Sequence, residues 1–231
     1  ANANSVGFDA ALENVAGAQT SHQSIASAMH LGKRLRKKAV LSRNCFGFIG
    51  NRMLENYIRE AGFLIEEGAT CQQVDGVMAS LGMAMGPFTM GDLAGNDIGY
   101  NIRKDNGWDA EWAKANGNQR YWAHCADALV EMGRAGQKTK GGWYDYPSGR
   151  TPVPSPEVEA MIQERVAALG IAQRSIGDDE ILDRCLLPLV NEGFKIVEEG
   201  IAQRESDLNI VYLYGYGFPR KSGGPMHWAR H

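Results

Sequence analysis

Asn44-Cys45-Phe46-Gly47-Phe48-Ile49-Gly50-Asn51-Arg52 breaks an apolar run with two glycines and ends on an amide beside a guanidinium. The glycines ask for a backbone bend with little side-chain bulk, and the polar pair stands where a helical spacing begins. Downstream, Met53, Leu54, Tyr57, Ile58, Ala61, Leu64 and Ile65 recur at helical intervals. The pattern predicts a helix from Asn51 with one buried face and with Gly68 as its stop. Arg52, Glu55, Arg59, Glu66 and Glu67 fall on its more polar sides. Upstream, Ala39-Val40-Leu41 reads as a short strand, and Ala10 to Gly17 as the end of another. Between them Thr20 and Ser21 are set to cap a helix reaching about Leu35, and Thr20 to Gln23 has capping-box spacing. The opening stretch therefore reads as a joint between a strand-bearing segment and a helical domain.

Composition narrows the classes. In 231 residues, 44% are hydrophobic and 22% charged, with a formal net charge of −3. That balance gives a core of ordinary size and no electrostatic reason to expect nucleic acid as a partner. No apolar run approaches the roughly 20 residues that span a bilayer. The stretch Ala1 to Ala10 has neither the basic region nor the apolar core of a secretory leader. Cys45, Cys71, Cys125 and Cys185 lie far apart without a C-x-x-C pair, so no metal site is expected. The cluster Lys33-Arg34-Leu35-Arg36-Lys37-Lys38 reads as a solvated helix end, with a grip on a nucleotide phosphate as the alternative.

Further along, Asp75 is placed to cap a helix from Gly76 to about Gly82, and Met85-Gly86-Pro87-Phe88 turns the chain into another helical stretch. Gln119 to Gly133 reads as one more helix. Gly133 to Tyr146 is too rich in glycine for a helix and ends in Trp143-Tyr144-Asp145-Tyr146, which suggests an extended arm. Its spacing does not match a phosphate loop. Pro147 to Pro156 reads as a linker, followed by a helix with Val158, Ile162, Val166 and Leu169 on one side. The region after Asp178 echoes the one after Asn51. Glu60, Glu66-Glu67-Gly68 and Asp75 match Glu192, Glu198-Glu199-Gly200 and Asp207, and both copies reach a Gly-Pro turn at Gly86-Pro87 and Gly224-Pro225. The second copy has no glycine joint and carries Pro188 within its first helix, where a kink is expected.

Asn44 to Arg52, the turn from Leu81 to Gly95, the arm from Gly136 to Tyr146 and the segment from Tyr214 to Ala229 together resemble 3-hydroxyacyl-CoA dehydrogenase. The tandem arrangement is similar to the multifunctional β-oxidation enzymes that fuse it to an enoyl-CoA hydratase. The resemblance covers residues 11 to 231. It implies a mainly α fold of two tandem helical units of the dehydrogenase C-terminal type, packed as an internal pseudo-dimer and preceded by the tail of a Rossmann domain. Residues 1–43 would be the last strand and helix of that NAD-binding domain. Residues 44–150 would be the first helical repeat with its arm, and residues 151–231 the linker and a second, shortened repeat. In the family a helical-domain asparagine completes a site whose His-Glu pair and NAD lie on the Rossmann domain. The matching position here is Asn51, whose amide would donate to a substrate oxygen and accept from the catalytic imidazole. The plainer reading is that Asn51 caps its helix.

The chain departs from that family in what it lacks. No G-x-G-x-x-G follows a strand, and Gly215-Tyr216-Gly217 runs into Phe218-Pro219-Arg220. His22, His30, His124, His227 and His231 fall outside the catalytic histidine context. The resemblance thus implies a piece of a longer enzyme, inactive alone. NAD would belong to the intact parent, with none expected on this piece, and acyl-CoA would be the substrate. Its partners would be the remaining Rossmann and hydratase domains, with no membrane span. The location would be the cytoplasm for a bacterial source and the peroxisome for a eukaryotic one. A non-catalytic acyl-CoA-binding or assembly module is the alternative. A dehydrogenase of smaller hydroxy acids is a third reading, opposed by the duplicated unit and the aromatic arm. Met53, Met78, Met83, Met85 and Met90 would serve as core filler or as an adaptable acyl lining.

Overall fold

A computed structural model describes residues 10–118 and 120–231. The leader expectation for the residues before Ala10, and the helix start placed at Gln119, lie outside them. The described chain is mainly helical and divides into two compact units. One gathers the residues up to Tyr57 with Leu81–Ala84 and Asp183–His231; the other gathers Ile58–Ser80 and Met85–Leu182.

In the first unit, strand β1 (Ala11–Ala16) pairs in parallel with β2 (Lys38–Arg43), with Ala11 opposite Lys38 and Ala16 opposite Arg43. Helix α1 (His22–Arg34) makes the crossover that parallel strands require. Ser21 is its N-cap, accepting from the Ser24 N–H at 3.1 Å. Thr20 is not the cap: its hydroxyl takes the Gly17 N–H at 3.0 Å, outside the helix. Helix α2 (Gly50–Glu67) follows the joint, one residue earlier than its apolar spacing predicts. Ile49 just before it and Met53 and Tyr57 within it are buried, as are Cys185, Leu186, Leu189, Ile196, Leu208, Val211, Tyr212 and Met226.

The second unit begins with the rest of α2 and continues through α3 (Cys71–Leu81), α4 (Pro87–Ala94), α5 (Asn96–Asp105), α6 (Ala110–Ala115) and α7 (His124–Glu131). The aromatic arm ends in β3 (Tyr144–Asp145), which pairs antiparallel with β4 (Val153–Pro154) inside the predicted linker. Helix α8 (Pro156–Leu169) then buries Val158, Ile162 and Val166, while Leu169 is 40% exposed and leaves the predicted apolar side. Helix α9 (Asp178–Glu198) runs on through Pro188. Helices α10 (Glu205–Gly215) and α11 (Pro225–Trp228), both of the first unit, complete the chain.

Asp75 does not cap the helix assigned to it. That helix starts at Cys71 and Asp75 is its fifth residue, buried, with its carboxylate turned to the next helix. It accepts from the N–H groups of Phe88 and Thr89 at 3.0 Å each, from the Thr89 hydroxyl at 2.5 Å and from the Tyr144 phenol at 2.9 Å. It thereby caps α4, whose own N-cap residue is Gly86 and offers no side chain. The Tyr144 phenol and a second buried aspartate hold the arm. Asp92 accepts from the N–H groups of Trp143 (2.8 Å) and Tyr144 (3.0 Å), the Tyr146 phenol (2.9 Å) and the Asn96 amide (2.7 Å). So the glycine-rich arm is fixed by backbone donors meeting one carboxylate, and its aromatic rings are buried.

The second copy repeats the Asp75 device with an amide. Helices α3 and α10 each have 11 residues, and the fifth residue of α10 is Asn209. Asn209 Oδ1 accepts from the Met226 N–H at 2.9 Å and the His227 N–H at 3.4 Å, just after Gly224-Pro225. A Cβ on Gly86 would fall 2.2 Å from Asp75 Oδ1, and one on Gly224 would fall 2.5 Å from Asn209 Oδ1. The Gly-Pro turns are therefore equivalent, and the helix turns back so closely that neither glycine admits a side chain. This moves the repeat register: Asp75 corresponds to Asn209, not to Asp207, which instead pairs with Arg204 at 2.8 Å.

Candidate functional site

The joint itself is tightly wound. Gly47 has φ +72° and Phe48, a residue with a side chain, has φ +49°. Phe46 and Phe48 are exposed, at 58% and 38%, beside Asn51, which is also exposed. The first turn of α2 leaves N–H groups with no partner inside the helix, and a negative charge is favoured there. Glu13 from β1 supplies it, accepting from Ile49 N–H at 2.9 Å and Gly50 N–H at 3.2 Å. Burial pushes the Glu13 carboxyl above its ordinary value, and these two N–H groups pull against that shift.

Because Glu13 caps α2, Asn51 is free of the capping role. Its Oδ1 accepts instead from the Tyr216 phenol at 2.7 Å. Tyr216 follows the end of α10 and stacks on Tyr212, with ring centroids 4.8 Å apart and planes 21° from parallel. The buried Tyr212 in turn donates to the Gly50 carbonyl at 3.0 Å. Gly50 is required by close approach, since a Cβ there would lie 2.4 Å from Tyr216 ring and hydroxyl atoms. Arg52, next in line, reaches across to α9. Its Nε donates to Glu192 at 2.7 Å, and its terminal nitrogens clasp both oxygens of Glu199 at 2.7 and 2.9 Å. That two-pronged pairing is a guanidinium geometry a lysine would not reproduce. The Asn-Arg pair therefore divides its work: Arg52 fixes the helix start, and Asn51 shows an oriented amide to solvent.

None of the described histidines hydrogen-bonds Asn51. His22 opens α1, His30 lies on its exposed surface, and His227 and His231 set their rings 4.5 Å apart near the chain end. His124 begins α7, and burial there holds its imidazole below the ordinary value. Among the described residues, no group of three or more His, Cys, Asp or Glu side chains could hold a metal ion, and no helix is long and apolar enough to cross a membrane. The residues present do not fit a dinucleotide. The turn from β1 to α1 is Gly17-Ala18-Gln19-Thr20-Ser21, without the further glycines that admit a pyrophosphate. The Gly17 N–H is already taken by Thr20, and the Ser24 N–H in the first turn of α1 by Ser21.

The sequence singles out Asn51 as a candidate but does not mark Glu13 or Tyr216, the residues that surround it in the fold. Glu13 sits in a strand pattern with nothing local to mark a cap for a helix 37 residues away. Tyr216 carried one signal, its place between two glycines where the first copy has Leu81-Gly82.

Residues 47–146 match the family model described as 3-hydroxyacyl-CoA dehydrogenase, C-terminal domain. The peroxisomal bifunctional enzyme of Danio rerio is 44% identical over 225 residues, which are 94% of this chain and 31% of that protein. The chain thus spans about a third of the length of that relative. The crystal structure of the dehydrogenase part of multifunctional enzyme 1 from C. elegans is 30% identical, with a TM-score of 0.67, over 93% of this chain and 47% of that one. The structure of 3-hydroxybutyryl-CoA dehydrogenase from Escherichia coli shares the fold at a TM-score of 0.71 and 18% identity, over 96% of this chain and 60% of that one.

Proposed function

We propose that this chain is the substrate-facing helical part of an NAD-dependent 3-hydroxyacyl-CoA dehydrogenase of fatty-acid β-oxidation, with Asn51 as its catalytic-site residue. The observation that carries the reading is the exposed Asn51 amide, held by Tyr216 at the start of α2 within the family-matched region. The reaction proposed for the parent enzyme converts a 3-hydroxyacyl-CoA to the 3-ketoacyl-CoA, with the hydroxyl proton going to a base outside this chain and the C3 hydride to a nicotinamide that would be held by another domain. NAD supplies the hydride acceptor when bound to the parent enzyme. In this reading the described residues of the chain are not its binding site, and no step of their own runs through it. Asn51 contributes positioning: Nδ2–H donates to the substrate oxygen, and the second lone pair of Oδ1 accepts from an imidazolium N–H. A nucleotide-binding domain, and with it a hydratase domain, are the partners this reading requires. A peroxisomal location goes with it, as the name of the Danio rerio relative states for that protein.

Titration calorimetry tests the reading. Acetoacetyl-CoA is expected to bind the chain more tightly than CoA alone, and Asn51→Ala to weaken that binding about tenfold, as for loss of a charge-free but desolvated hydrogen bond. Equal affinity in the variant overturns the role of Asn51. NADH mixed with chain and acetoacetyl-CoA is expected to keep the absorbance of a protein-free control; sustained consumption overturns the assignment of dinucleotide chemistry to another domain.

A further inference from the structure

The Tyr212–Tyr216 pair is more than packing. Asn51 lies on an exposed first turn, where a lone amide would rotate freely and present oxygen or nitrogen alike. Here its Oδ1 is engaged by a phenol at 2.7 Å, and among the described residues Nδ2 has no acceptor. The phenol is in turn held by its surroundings. Its ring stacks on buried Tyr212, it meets the backbone where Gly50 lacks a side chain, and Tyr212 is tied to the Gly50 carbonyl. The same turn is clamped by Glu13 from below and by Arg52 to Glu192 and Glu199. The groups flanking Asn51 are thus tied down on several sides, while among the described residues its Nδ2 hydrogens have no acceptor.

We propose that Tyr216 is the positioning residue of Asn51: its phenol, donating to Oδ1, turns the amide so that Nδ2–H₂ faces the acyl-CoA oxygen. The second helical copy then contributes to the site through Tyr216, although its own first helix carries no asparagine joint. This rests on the reading of Asn51 given above. A phenol kept protonated suits the task, and burial holds Tyr216 above its ordinary value, with the Glu13 charge adding to the shift.

The test is a double-mutant cycle on the full 231-residue chain, using Tyr216→Phe, Asn51→Ala and the pair, with acetoacetyl-CoA as the probe. Tyr216→Phe keeps the ring and its stacking and removes only the donor. Its affinity is expected to fall about three- to tenfold in the wild-type background and to remain unchanged in the Asn51→Ala background, the signature of two groups acting as one. A structural role would lower affinity in both backgrounds and overturns the proposal. If Asn51→Ala weakens binding and Tyr216→Phe does not, the Asn51 reading stands and this inference fails. A second readout needs no ligand: the side-chain amide resonances of ¹⁵N-labelled Asn51. They are expected to be dispersed in the wild type and to move to free-asparagine positions in Tyr216→Phe. Unmoved resonances overturn the proposal even if acetoacetyl-CoA does not bind, an outcome that separately overturns the reading it rests on.

Discussion

Glu66 is 1% exposed, and its Oε2 has no hydrogen-bond partner among the described residues, with Arg120 Nε 3.9 Å away. Burial pushes its carboxyl up to about 7, the Arg120 charge opposing and Glu67 adding to the shift. Its folded-state value lies above its unfolded one, so the folded chain holds the extra proton between pH 4.5 and about 7. The stability tied to this proton is complete below that window and is lost as pH rises through it. Glu66→Gln is expected to match wild-type stability near pH 4 and to exceed it by up to about 3 kcal/mol at pH 8, from 1.36 kcal/mol per pKa unit. Urea unfolding at the two pH values reads this directly; parallel curves for both proteins would contradict it. At this same scale the sequence marked Asn51 as a candidate, because the amide follows its glycines within one local motif. Glu13 and Tyr216 were hidden because each acts on the first turn of α2 from a remote element, and no local spacing marks such a contact.

At the scale of elements, the main structural device is a helix N-terminus capped from the middle of the preceding helix. Asp75 and Asn209 do this in the two copies, each for a helix that follows Gly-Pro. They differ in what is left behind on removal. Asp75→Ala strands four donors, the Phe88 and Thr89 N–H groups and two hydroxyls, in buried surroundings, and is expected to cost about 3 kcal/mol. Asn209→Ala removes one oxygen at a more open turn, and an N-cap loss of about 1 kcal/mol is expected. Denaturant midpoints should follow that order, and a reversed order would contradict the account. Helix periodicity made α2, α8 and the repeat visible from residues alone. The sequence reading nevertheless sent Asp75 to cap its own helix, since an aspartate before an apolar stretch looks the same whether its carboxylate turns forward or back. The repeat register was set at Asp207 for a related reason: equal spacing from Gly68 and Gly200 concealed two extra residues before α10. Only the 11-residue lengths of α3 and α10 and their shared fifth-position contact restore the match.

At the scale of the whole molecule, neither compact unit is a continuous stretch, and the boundary falls inside both α2 and α9. Linear domain reading does not foresee this, because a long helix can start in one core and end in another without any break in its apolar period. The helical class, by contrast, was legible from the spacing of apolar residues and from the motifs shared with the dehydrogenases. The joint from Asn44 to Arg52 belongs wholly to the unit that holds Glu13, Tyr216, Glu192 and Glu199, so the contacts that orient Asn51 all lie within one core. The most direct test of the central claim follows the Asn51 side-chain amide by ¹⁵N–¹H correlation while acetoacetyl-CoA is titrated into the chain. The account predicts a saturable displacement of that resonance which CoA alone does not produce. An Asn51 amide that stays in place while acetoacetyl-CoA saturates the chain would contradict it.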